Sequence, residues 1–215
     1  MRPNTTMQSP EYIATQIADQ IGQLPTGSGR KLIAIAGPPA SGKTTVSHAL
    51  LEALNASHTR AGLLAMDGFH LDNTILDARG QRAQKGAPDT FDFGSFQACL
   101  KRLQTEEEVI APTFDRTRDV SVGSSTIITP QMRTVIVEGN YLLLNDAPWC
   151  DLRAYWTFAA MITADRDTLE QRLIERWVHH GFSPQEARAK ALENDIPNAV
   201  RVLTDSAEAD LTIEV

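Results

Sequence analysis

The chain has 215 residues, 42% of them hydrophobic, and a formal net charge of −7. That length and apolar content suit one α/β domain with a sizeable core, and the acidic balance excludes a broad basic surface for nucleic acid. Two cysteines, Cys99 and Cys150, without metal-type spacing, exclude a disulfide framework and suit a reducing cytoplasm, and the want of a leader pattern or a long apolar run predicts a cytoplasmic protein without membrane insertion.

Residues 1–8 read as disordered. Ser9 and Pro10 open a helix over 9–24, with Ile13, Ile17, Ile21 and Leu24 on one face. Residues 31–36 form a short apolar run of strand type that feeds directly into Gly37. Residues 45–54 have helical spacing. A second strand, 63–66, ends at Asp67-Gly68, and 73–88 reads as a long irregular loop. Phe96, Cys99, Leu100 and Leu103 predict a helix. Residues 109–112 and 125–128 would pair as a hairpin across 119–124. Strands follow at 134–137 and 156–162. A helix over 165–179 is closed by Gly181, and Ser183-Pro184-Gln185-Glu186 is a capping box for the next. The last strand is 209–215. Alternating strands and helices favour a mainly parallel sheet covered on both faces. No repeat or linker is visible, so residues 1–215 read as a single domain.

The chemistry starts at Gly37-Pro38-Pro39-Ala40-Ser41-Gly42-Lys43-Thr44, a complete match to G-x-x-x-x-G-K-[ST] between a strand and a helix. Backbone N–H groups of such a loop wrap the β-phosphate of a nucleotide. Lys43 reaches the β- and γ-phosphates, and the Thr44 hydroxyl can ligate Mg²⁺. The helix that follows aims its positive end at the same anion.

A phosphate loop alone says only nucleoside triphosphate, so the reaction rests on the other strand ends. Asp67 is either a general base for an alcohol acceptor or a turn residue before Gly68. Glu138 is either a partner of Mg²⁺ beside Thr44 or a solvated strand-end acid. Asn140 and Tyr141 follow it as ligand contacts. Arg172 and Arg176 share a helix face, as charges closing on the migrating phosphoryl group or as a solvated stripe paired with Glu175 or Asp165. Asp89, Asp92 and Asp115 sit among aromatics such as Phe114, where an acid can hold sugar hydroxyls. Asp92 reads equally as a helix cap. His70 reads as a substrate contact or as structural.

This ordered set of motifs resembles the P-loop small-molecule kinases that include uridine kinase, phosphoribulokinase and bacterial pantothenate kinase. The likeness is carried by Gly37–Thr45, Met66–His70, Pro88–Asp92, Pro112–Arg116, Val137–Tyr141 and Arg172-Leu173 with Arg176-Trp177. It implies a three-layer α/β/α P-loop NTPase sandwich with a helical lid around 165–182, ATP and Mg²⁺ as cofactors, and a small-molecule phosphate acceptor. The resemblance places the base on Asp67, the metal-side acid on Glu138, lid arginines at Arg172 and Arg176, and acceptor contacts at Asp89 or Asp92. The family often forms dimers, which makes a homodimer the expected oligomer.

The chain is most similar to the subgroup known as fructose-transport-system or nucleoside/nucleotide kinase-like. There M-D-G-F-H, K-G-A-P-D-T-F-D, F-D-R, V-E-G-N-Y and N-D-x-P-N recur, here at Met66–His70, Lys85–Asp92, Phe114–Arg116, Val137–Tyr141 and Asn194–Asn198. The last segment, with Asn198, is expected at the adenine pocket. Uridine kinases carry a histidine shortly after their Y-D segment, and the corresponding stretch here, Phe114–Asp119, has none. Arg116 and Arg118 suit instead an acceptor that already bears phosphate or carboxylate. Two rivals remain: a nucleotide-dependent switch attached to a transport system, and a nucleoside kinase proper.

Overall fold

The computed structural model describes residues 9–27, 29–57 and 59–215; the expectation for residues 1–8 lies outside them. Ser9 accepts the Tyr12 N–H and Pro10 occupies the first turn, so α1 (Pro10–Gln23) starts where its cap dictates and buries Ile13, Ile17 and Ile21. Next come β1 (Lys31–Ala36), α2 (Lys43–Ala56) and β2 (Ala61–Ala65). After β2 the chain winds through a short 3₁₀ turn, Met66–Phe69, which carries Asp67. Then follow α3 (Asn73–Ala78), α4 (Phe93–Thr105), β3 (Val109–Asp115), β4 (Val120–Ile128), β5 (Thr134–Gly139) and β6 (Phe158–Thr163). The chain ends in α5 (Arg166–His179), α6 (Pro184–Lys190), α7 (Ile196–Asp205) and β7 (Leu211–Glu214).

The main sheet has the order β2-β5-β1-β6-β7 and is parallel at every pairing. Its inner strands are apolar on both faces because both are covered. Ile33, Ile35, Ile136 and Ile162 pack with α1 and α2. Leu32, Ala34, Val135 and Val137 join the core built with α4, Trp149 and Leu152. The result is the three-layer α/β/α arrangement the resemblance implied. Register sets the site: Glu138 lies across from Ile35 on β1 and Ala65 on β2. The phosphate loop, the Asp67 turn and Glu138 therefore meet at one carboxyl edge.

Several expected boundaries shift. Residues 73–88 are not irregular throughout: Asp72 caps α3 through the Thr74 N–H, and 3₁₀ turns follow at Arg82–Gln84 and Pro88–Thr90. The hairpin is longer than its apolar pattern. Its turn is 116–119, because the Asp115 carboxylate accepts the N–H groups of Thr117 and Arg118 and Asp119 takes a φ of 55°. β6 starts after Trp156, whose indole donates to the Leu142 carbonyl. β7 starts at Leu211, since Asp210 is used to accept the Ala159 N–H.

The hairpin β3–β4 is a separate two-stranded sheet that leans on the Asp67 turn. The contact is backbone against backbone at Gly68, where an added Cβ would lie 2.5 Å from the Pro112 carbonyl oxygen. No side-chain rotation can relieve such a clash. Gly68→Ala should therefore destabilise the protein by about 1–3 kcal/mol. Urea unfolding checks this; an unchanged midpoint would show that the hairpin is not held at this point.

Candidate active site

The loop after β1 alternates in hand, with Ala40 at φ 65° and Gly42 at φ 88°. Backbone of this kind turns successive N–H groups to one concave side and makes an anion nest. A Cβ at Gly37 would run into the Ile162 carbonyl of β6, so the loop leaves the sheet only because residue 37 has no side chain. Pro39, Ala40, Gly42, Lys43 and Thr44 line a cleft of about 840 Å³. Gly37, Pro38 and Ser41 are buried behind it, and Thr45 is exposed on α2 outside the lining.

Lys43 and Asp67 line the cleft, and Glu138 is buried behind Thr44, outside the lining. The Thr44 hydroxyl donates to Glu138 Oε2 at 3.0 Å. Burial raises the Glu138 carboxyl above its ordinary value, against the pull of Lys43. Burial lowers the Lys43 ammonium, against Glu138 and Asp67. Burial would also raise Asp67, but Arg116, His70 and Lys43 outweigh it and hold that carboxyl below the usual range. Arg116 Nη2 lies 2.6 Å from Asp67 Oδ2. Lys43, Asp67 and Arg116 all line the cleft.

His70 stacks on Phe91 with centroids 4.1 Å apart and meets the edge of Phe114 at 4.7 Å. Its Nδ1 is buried and has no hydrogen-bond partner among the described residues. Burial pushes its pKa down to about 4, overriding the pull of Asp67. His70, Phe114 and Asn140 line the cleft, and Asn140 Oδ1 is buried with no hydrogen-bond partner among the described residues. Tyr141 sits behind it: its hydroxyl donates to the Gly86 carbonyl at 2.5 Å, fixing the loop rather than facing the cavity. Asp89 and Asp92 are exposed and outside the lining. Asp89 accepts from Gln81, and Asp92 accepts the Ser95 N–H as the cap of α4.

On α5, Arg172 and Arg176 both line the cleft rather than a solvated stripe. Arg172 donates to the Ala40 carbonyl of the phosphate loop at 3.4 Å. Arg176 lies 3.2 Å from Asp195 Oδ2, which also accepts the Trp177 indole N–H at 2.6 Å. A π-helical turn, Ala191–Asp195, joins α6 to α7. Asn194 and Asp195 face different partners from it: Asn194 Nδ2 donates to the Lys85 carbonyl at 3.0 Å. Asn198 donates to Asn194 and also lines the cleft.

Sequence reasoning gave no role to Trp177, Phe182 and Lys190, which also line the cleft. The Lys190 ammonium sits 5.0 Å from the Trp177 ring and 4.7 Å from Phe182. Their meeting depends on how α5 and α6 fold back on each other, which no local spacing encodes. Lys85 was visible only as part of a motif. Its ammonium binds Asn73 Oδ1 at 2.7 Å and Asp119 Oδ1 at 2.9 Å, and lies 5.1 Å from the Phe114 ring.

The model of the Phosphoribulokinase / Uridine kinase family matches residues 32–214. The chain belongs to that family. It is accordingly an ATP-dependent small-molecule kinase of the P-loop fold. A crystal structure from Silicibacter sp. TM1040, of a "putative fructose transport system kinase", has a TM-score of 0.87 to this chain at 39% identity, covering 96% of this chain and 99% of that one. YggC of Escherichia coli K12, described as uncharacterized, is 35% identical over 188 residues, covering 86% of this chain and 78% of its own length. The "putative uridine kinase C227.14" of Schizosaccharomyces pombe is 31% identical over 195 residues, covering 86% of this chain and 83% of its own. Among the described residues no helix is long and apolar enough to cross a membrane.

The histidine gives this family member a pH signature. With a folded pKa near 4 against 6.5 unfolded, His70 stays neutral when the unfolded chain has already taken up its proton. Stability should therefore be full above pH 6.5 and fall as pH drops towards 4. Glu138, whose carboxyl is raised, acts in the opposite sense. His70→Phe keeps the stacking and removes the titration, so its stability should fall less over that range. Urea midpoints of both proteins between pH 7 and pH 4.5 check this, and parallel declines would refute it.

Proposed function

We propose that this chain transfers the γ-phosphoryl group of ATP, with Mg²⁺, to a hydroxyl of a small metabolite such as a sugar, a nucleoside or a related compound, as a fructose-transport-system-kinase-like enzyme. One observation carries the reading: Lys43, after β1, and the Asp67 carboxylate, after β2, line the same cleft although β5 lies between their strands.

In this reading the loop N–H groups and Lys43 hold the β- and γ-phosphates. The acceptor hydroxyl lies between Asp67 and the γ-phosphorus. Its oxygen bonds to phosphorus as the bond from phosphorus to the β–γ bridging oxygen breaks. The hydroxyl proton passes to Asp67, and ADP leaves with the bridging oxygen. Arg172 and Arg176 close over the transferring group and offset its spreading negative charge, which makes residues 165–182 the lid. His70, Asn140, Phe114 and Arg116 face the acceptor. Asn198 faces the nucleotide.

The donor set beside Lys43 fits Mg²⁺, because a buried carboxylate and a hydroxyl 3.0 Å apart offer hard oxygen ligands. Thr44 and Glu138 would hold the ion, which when bound neutralises charge on the phosphate oxygens. A cytoplasmic location and a homodimer belong to the same proposal.

Asp67→Asn tests the assignment. It should keep nucleotide binding and lower phosphoryl transfer by about 10²-fold or more. Near-normal transfer would remove Asp67 as the base. ADP release with and without a panel of sugars, sugar phosphates and nucleosides separates kinase from switch. Stimulation by a panel member supports the kinase; release that no member alters supports the transport-linked switch.

A further inference from the structure

Arg116 reaches into the cleft from the turn of the β3–β4 hairpin and ends on the carboxylate of the proposed base, 2.6 Å from Asp67 Oδ2. Two neighbouring cations of the cleft pair with other acids: Arg82 with Asp77 of α3 at 3.1 Å and Lys85 with Asp119 of the hairpin turn at 2.9 Å. Those pairs build the walls. The Arg116 pair is different, since its acid is the group that must accept a proton. A carboxylate engaged by a guanidinium is a poor base: a lone pair is taken and the negative form is already stabilised.

The pair is also built to exchange. The Arg116 side chain is 63% exposed, while that of Asp67 is 21% exposed. Ion pairs with one partner this open are weak, because water competes for the charge. The anchor of the arm is firm, since Asp115 accepts both the Thr117 and Arg118 N–H groups and fixes the turn. Release therefore needs only rotation of the Arg116 side chain. A planar guanidinium with a mobile stem takes phosphate or carboxylate oxygens two at a time. A neutral alcohol offers nothing to draw it away.

Resting on the kinase reading, we infer that the acceptor is an anionic hydroxy compound, bearing a phosphate or a carboxylate that takes Arg116 from Asp67 and so frees the base. The acceptor would thus switch on the group that deprotonates it. An acceptor without the charge would meet a base still engaged.

The test begins with the full chain saturated with a nonhydrolysable ATP analogue, so that the phosphate loop is filled. Inorganic phosphate is then titrated while the melting temperature is followed. The expected result is a further rise with phosphate, absent in Arg116→Ala and partly kept in Arg116→Lys. No rise, or an equal rise in Arg116→Ala, overturns the inference. An analogue that itself gives no rise is a different failure, that of the nucleotide site and the kinase reading. Turnover is then compared within pairs: ribose with ribose 5-phosphate, fructose with fructose 6-phosphate, glycerol with glycerate. The charged member should release ADP at least tenfold faster, and that advantage should shrink in Arg116→Ala. The first two pairs report phosphate and the third carboxylate. A neutral member that turns over as fast as its charged partner overturns the inference. If no pair turns over, the phosphate titration decides.

Discussion

Putting one ammonium and two carboxylates into the mouth of an apolar sheet is the constraint around which the rest is arranged. Each of Lys43, Glu138 and Asp67 loses hydration there, and burial alone would neutralise all three. The attraction between Lys43 and both acids works against that loss, Asp67 repels Glu138, and the arginines divide unevenly. Arg116 supports both carboxylates but repels Lys43, as does Arg176. The balance differs between the two acids. Glu138, shielded in β5, drifts towards its neutral form, while Asp67, on a turn open to Arg116, is held anionic. One strand end thus offers an acid that a cation would complete, and the next an acid already charged.

The walls of the cleft come from elements that the sheet does not organise. Gly86 is gripped from two sides, by Tyr141 at its carbonyl and by the Thr90 hydroxyl at its N–H. The preceding Lys85 is held at its carbonyl by Asn194 and at its ammonium by Asn73 and Asp119. One short loop therefore joins the β3–β4 hairpin, the end of β5 and the π-helical turn. The π turn explains how adjacent residues serve both sides. Asn194 binds the Lys85 loop, while Asp195 holds Trp177 and Arg176 of α5. A wider turn is the usual means of inserting one more inward-facing residue.

The frame and the phosphate loop were legible because their signals are local. A buried apolar strand, a glycine-rich loop and a capped helix are each written in adjacent residues, and Ser9, Ser183 and Asp165 cap their helices through neighbouring N–H groups. Residues 73–88 were harder, since α3 has only Leu76 buried and offers no periodic face. The hairpin turn is harder to read because the alternation Val120-Ser121-Val122 is too short to mark a strand by itself, while the decisive capping by Asp115 looks like that of any turn aspartate. Asp92 had two readings of equal force, and its geometry is that of the cap. Tyr141 was expected to face a ligand, yet its ring joins the cluster of Phe91 and Trp149, where burial of an aromatic outweighs the reach of its hydroxyl.

Arg172 and Arg176 show most clearly what spacing leaves open. Four residues apart, Arg172 and Arg176 share a helix face whether that face is wet or buried. The helix itself cannot choose. Asp195, distant in sequence and largely buried, makes the choice: its carboxylate offers the Trp177 indole and the Arg176 guanidinium one shared oxygen. A buried carboxylate without such donors would be costly, so α5 is turned to satisfy it. That rotation also carries Arg172 to the carbonyl of Ala40, on the rim of the phosphate loop. The orientation of the arginine face is thus set by the needs of an acid on another helix.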